Sequence, residues 1–209
     1  RIILTVTGTH FSILLVCSGF LFFQPAIAGI KNKKGEMKML VLEEIMFKVI
    51  KKRIGYDKNF YTNSGFKSTP AAWSRFKNGE VSILDMKYGK VRNMLSYLFT
   101  PLELQIIDKI QFEKNSNWLD NDPLKRYRDI KIGLLKEWLE LPTTVVSLQR
   151  YSLPNGRHSV NYLLVEKDEY NSISFSYKIP TGFGVSSKIP AGKRNRKKWI
   201  LKNIDLLEF

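Results

Sequence analysis

The chain has 209 residues, 34 Lys and Arg against 19 Asp and Glu, a formal charge of +15 and a pI near 9.8. That length holds one medium domain or two small ones, and the charge makes a polyanion the natural partner: nucleic acid, an anionic membrane surface or, less often, an acidic protein. Cys17 is the only cysteine and His10 and His158 the only histidines. An intrachain disulfide framework and a thiolate zinc cluster are therefore excluded, and binding functions stand ahead of most enzyme classes.

Residues 2–30 contain no Lys, Arg, Asp or Glu, and the apolar run Ser12 to Phe23 precedes Ala26-Ile27-Ala28 and a basic stretch. Two expectations compete for residues 1–38. One is a secretory signal with an A-x-A cleavage site. The other, which we favour, is translated leader DNA: the codons of Gly35-Glu36 can spell a ribosome-binding element just upstream of a start at Met39. A transmembrane helix is a third option, although Gly8, Gly19 and Pro25 interrupt it.

From Met39 the pattern turns helical. Leu42, Ile45, Met46, Val49 and Ile50 alternate at helical spacing with Glu43, Glu44, Lys48, Lys51 and Lys52, which predicts an amphipathic helix ended by Gly55. Residues 56–68 are aromatic and polar, with Asn63-Ser64-Gly65 as a turn signal and room for one poor helix. Thr69-Pro70 starts a further helix as N-cap and first position, and Asn78-Gly79 stops it. Ile83, Met86, Val91, Met94, Leu95 and Leu98 predict a helix from about Asp85, and Thr100-Pro101 opens another. The expected unit at 39–114 is a closed bundle of five helices.

Residues 115–123 are a polar linker. A connecting helix follows to about Leu141, with Tyr127, Ile130, Leu134, Leu135 and Trp138 on one side and Pro142 at its end. Residues 142–209 form a β-rich module: β-branched and aromatic residues with the hairpin signal Pro154-Asn155-Gly156 predict two or three antiparallel strands. The fold class expected is α+β.

Two segments carry functional expectations. On a helix from Pro70, Trp73 and Phe76 share the core face with Ala72 near them. Ala71, Ser74, Arg75 and Asn78, with Lys77 beside them, lie opposite. Small residues followed by donors are what a helix needs to approach a major groove, where Arg pairs with guanine and Asn with adenine. The run Thr69-Pro70-Ala71-Ala72-Trp73-Ser74-Arg75-Phe76-Lys77-Asn78-Gly79 resembles the recognition helix of lambda-repressor-like (Xre-type) helix-turn-helix regulators. The resemblance implies that Trp73 and Phe76 lock the helix while Thr69, Ala71, Ala72, Ser74 and Arg75 face double-stranded DNA, with Lys77 and Asn78 adjoining. Lys77 replaces the family's usual acid, Gly65 lies two residues too far from Thr69, and Tyr61 stands where a small residue is expected.

The second segment is Lys193, Arg194, Arg196, Lys197 and Lys198, followed by Trp199. It is expected to contact phosphates, against the plainer view of a solvated or flexible end. Residues 199–209 then tuck back as a strand or helix. The acids Glu166, Asp168 and Glu169 fit no metal motif and read as a charged turn, although a nuclease would keep acids there. No metal or other cofactor is expected.

The function expected is a cytoplasmic, non-enzymatic, sequence-specific transcriptional regulator of bacterial or phage type, repressor-like, binding DNA, with the connecting helix or the β module as the surface for a homodimer. The alternative is an exported or membrane-anchored basic protein.

Overall fold

A computed structural model describes residues 2–7, 10–17 and 20–25, and residues 39–54, 58, 60–61, 68–116, 118, 122–152, 159–177, 189–190 and 192–208. The chain divides into two compact units, Arg1–Lys38 and Met39–Phe209.

In the first unit β1 (Ile2–Thr7), β2 (His10–Cys17) and β3 (Phe20–Pro25) form an antiparallel sheet in that order, with Ile2 opposite Leu15 and Ser12 opposite Pro25. The apolar run that suggested a spanning or signal helix is thus in strands. Ile, Val, Thr and Phe are residue types that fit a pleated surface. Among the described residues no helix is long and apolar enough to cross a membrane.

The second unit is α+β, with six α-helices and a four-stranded antiparallel sheet among its described residues. The helices are α1 (Val41–Val49), α2 (Pro70–Lys77), α3 (Tyr88–Leu98), α4 (Pro101–Asn115), α5 (Pro123–Glu140) and α6 (Lys193–Lys202). The strands β4 (Val145–Ser152), β5 (Ser159–Glu166), β6 (Ser172–Tyr177) and the short β7 (Leu207–Glu208) lie in chain order across the sheet. The hairpin signal Pro154-Asn155-Gly156 lies outside the described residues, but β4 and β5 pair in register from Val145–Glu166 to Ser152–Ser159.

Start signals act as their chemistry dictates. Thr69 and Thr100 each accept a backbone N–H at 3.2 Å, from Ala72 and Glu103. Asp122 does the same for Leu124 at 3.0 Å. Helix α3 begins at Tyr88 rather than near Asp85. Ser82 and Asp85 cap each other around a 3-10 turn at Ile83–Asp85, and Met86 is then extended. Helix α1 runs into a π-helical turn, Ile50–Ile54. Gly55, the expected terminator, lies outside the described residues.

Two apolar cores result. One gathers α1, Phe60 and Tyr61, α2, α3, α4 and Tyr127 of α5. The other packs Leu135, Trp138 and Leu139 of α5, with Ile200 of α6, against Val146, Leu163, Val165, Ile173, Phe175 and Leu207 of the sheet. The connecting helix is therefore a spine shared by both cores.

Where the two cores meet lies a charge pair that apolar periodicity does not display. Lys131 Nζ is 2.7 Å from Glu103 Oε1, and both side chains are fully buried. The ammonium also donates to the Ser174 carbonyl and lies 4.9 Å and 4.6 Å from the ring centroids of Tyr127 and Phe175. Glu103 accepts from Ser174 N at 2.8 Å and Thr100 N at 2.9 Å. Every charge is answered, so removing one partner alone would cost about 3–5 kcal/mol. Glu43, expected on the polar side of α1, is likewise buried, accepting from Ile83 N at 2.7 Å and from Ser82 Oγ and Leu40 N at 2.9 Å.

Candidate polyanion-binding faces

Helix α2 is seated by aromatic rings. Trp73 and Phe76, three residues apart, are 4% and 2% exposed. Phe47 lies 5.9 Å and 5.1 Å from their centroids, and Phe60 and Tyr61 lie 5.5 Å and 5.8 Å from Trp73. Such contacts in edge and tilted geometries fix the rotation of the helix about its axis. With those two side chains inward, Thr69, Ala71, Ala72, Ser74, Arg75, Lys77 and Asn78 are exposed. Ala72, expected beside the core, is on the solvent side. Gly79, at φ 74°, ends the helix in the left-handed region.

The first turn of α2 holds no acid. Its slim profile leads to Arg75, whose Nε is 3.3 Å from Glu80 Oε2 with both side chains more than half exposed. The guanidinium meant to read a base is thus partly answered by its own chain, although solvent leaves such a pair weak.

Helix α6 is seated differently. The basic run is helical, and two of its five cations turn inward. Arg196 donates through Nη1 to the Val146 carbonyl at 2.5 Å and through Nε to the Pro190 carbonyl at 3.1 Å. Lys197 Nζ donates to the Leu141 carbonyl at 2.5 Å. Burial, then the neighbouring charge of Lys193, hold the Lys197 ammonium below its ordinary pKa. Ile200 is fully buried and Trp199 half-buried, while Lys193, Arg194, Lys198, Leu201 and Lys202 are exposed.

Arg196 has a second effect. β4 is the outermost strand of its sheet, and the guanidinium covers a carbonyl of that strand. Edge strands with unanswered backbone groups invite wrong pairing, so a sequence-expected phosphate contact is also an edge cover.

The start of α3 adds a basic surface that periodicity did not flag. Lys87, Tyr88, Lys90 and Arg92 are exposed, Tyr88 at 60%. Its signal is an aromatic between lysines at a helix start, which a search for apolar stripes passes over.

The acidic turn offers little for catalysis. Asp168 accepts from Asn171 Nδ2 at 2.8 Å and from the N–H groups of Tyr170 and Asn171 at 3.0 Å. These bonds, the Asn171 side chain first, hold its carboxyl below the usual range, as suits a turn-forming acid. Among the described residues no group of three or more His, Cys, Asp or Glu could hold a metal ion. His158 lies outside the described residues.

A family model described as anti-CRISPR type II subtype A6-like (AcrIIA6) matches residues 34–204, well over half of the chain, and the chain belongs to that family. A search of the curated proteins found no match. The family match overturns the resemblance of Thr69–Gly79 to Xre-type regulators and, with it, the transcriptional, repressor-like function. It equally replaces the alternative of an exported or membrane-anchored protein. The physical reason is that T-P, W-x-x-F and N-G are what any short helix seated by two aromatics requires. They encode a helix and its docking, not its use.

Proposed function

We propose that this member of the anti-CRISPR type II subtype A6-like family blocks type II CRISPR interference by binding, in the cytoplasm and without catalysis or a cofactor, and that the exposed face of α2 makes contact with double-stranded DNA. Type II effectors of the Cas9 kind hold nucleic acid in positively charged channels. An acidic inhibitor could fill such a channel as a mimic of the nucleic acid, whereas a protein of +15 is repelled from it and attracted to the nucleic acid itself. The sign of the net charge, read beside the family match, is the observation that carries the proposal. A bacteriophage origin is consistent with it.

On α2, Ala71, Ala72 and Ser74 allow close approach to a duplex, while Arg75, Lys77 and Asn78 supply donors for phosphates and base edges. Because α5 is shared by both cores, the β module is the better place for a dimer contact.

Plasmid interference in cells carrying a type II system tests the function, with effector-dependent cleavage in vitro beside it. Wild-type protein should restore plasmid survival and stop cleavage once it is stoichiometric with the nucleic acid it covers. Unchanged interference at excess would overturn the function, and inhibition at far below that ratio would mean catalysis. Full inhibition by the combined Ser74→Glu and Lys77→Glu variant would remove α2 from the contact.

A further inference from the structure

The basic run at 193–198 divides into cations that hold the fold and cations that face outward, and Lys202 joins the outward set. Around α6, Arg194, Lys198 and Lys202 stand four residues apart, so they fall within an arc of about 80° at intervals of about 6 Å along the axis. All three are exposed, and the exposed Leu201 lies about 20° outside that arc, on the Arg194 side. The opposite side carries Ile200, Trp199 and Arg196, which face the sheet, β4 and the Pro190 carbonyl. The helix cannot roll without breaking the two bonds of Arg196, and Lys197 adds a third at the Leu141 carbonyl. This row of cations is therefore built on a fixed platform.

Along the chain its charge is one-sided, the nearest acid in sequence being Asp205, three residues past Lys202. No acid occurs between Glu169 and Asp205, and Lys193 lies close enough to depress Lys197. Charges at about 6 Å intervals fall inside the ionic screening length of about 8 Å at physiological salt, so each destabilises the next. A single small anion relieves one of them. A chain of linked anions relieves them all and releases its own counterions in doing so.

We propose that Arg194, Lys198 and Lys202 form a rail for the phosphate backbone of a nucleic acid, read without regard to sequence and separate from the face of α2. The geometry favours nucleic acid over a membrane surface. A membrane-lying helix needs a free apolar side, and here that side is buried against the sheet, leaving Leu201 alone. Lysine and arginine rows without exposed aromatics also suit backbone contact better than base reading. The proposal stands whether or not the chain inhibits a CRISPR effector.

The test uses the full chain and a variant with Arg194→Gln, Lys198→Gln and Lys202→Gln, all on exposed positions, after thermal melting shows the two equally folded. Binding to mixed-sequence single-stranded RNA and to mixed-sequence duplex DNA is measured over a range of salt. Loss of three contacts should flatten the slope of log K against log salt by about 2 on the single strand or about 2.7 on the duplex. A drop in either arm supports the rail and identifies its source. Equal slopes for both proteins in both arms would overturn it, as would vesicles of phosphatidylserine that capture the wild type but not the variant while nucleic-acid binding is unchanged. The combined Arg75→Gln and Lys77→Gln variant, which touches α2 only, should keep the share of the slope that the rail supplies.

Discussion

Helices α2 and α6 both turn cations to solvent, yet they are held by opposite means. α2 is seated by two aromatic rings among three others. α6 has one fully buried aliphatic residue and is pinned by an arginine and a lysine that donate to backbone carbonyls. In the first helix basic residues are left for the surface. In the second the same residue types do two jobs, and only a neighbour such as Val146 or Leu141 tells them apart.

The comparison breaks most sharply at Trp73. Trp73→Ala removes a ring that touches Phe47, Phe60, Tyr61 and Phe76, and large aromatic truncations in a core cost about 3–5 kcal/mol. Urea denaturation should show that loss as a lower midpoint. A loss below about 1 kcal/mol would mean that α2 is held by something other than its rings.

Arg196→Met comes next. It keeps the volume of the stem but leaves the Val146 and Pro190 carbonyls short of a donor, at about 1–3 kcal/mol. Lys198→Met, two residues along and exposed, should change stability by no more than about 0.5 kcal/mol. Equal effects would erase the division of labour along α6. Thr69→Ala is smaller again, removing the cap on Ala72 N for about 1 kcal/mol.

Much of this fold was legible because its signals are local. Thr-Pro at 69 and 100 and Asn78-Gly79 state where helices begin and end within a few residues of chain, and the β-branched texture after Pro142 states its strands. Glu43, Glu103 and Lys131 were not legible. Periodicity assigns charge to the surface, and the groups that satisfy these three lie up to 71 residues away. For the same reason the run at 193–198 hid a helix: only Trp199 and Ile200 mark its inner side, and its other anchors are carbonyls of residues 141, 146 and 190. The face of α2 was legible as a face. Its purpose was not, because a slim first turn with donors behind it satisfies one polyanion as well as another.

Glu80→Gln also belongs at the small end of the stability scale, and it sharpens the comparison on the binding side. Glu80 is the acid nearest to Arg75, and the pair is more than half exposed, so its loss costs at most about 1 kcal/mol of stability. Any polyanion approaching α2 must compete with that carboxylate for the guanidinium, and the substitution removes both the competitor and one negative charge. Affinity for duplex DNA should therefore rise, by more at low salt than at moderate salt because the added attraction is screened. Helix α6 itself holds no acid. If Glu80→Gln leaves DNA affinity unchanged at every salt concentration, Arg75 takes no part in binding and the rail on α6 supplies the contact by itself.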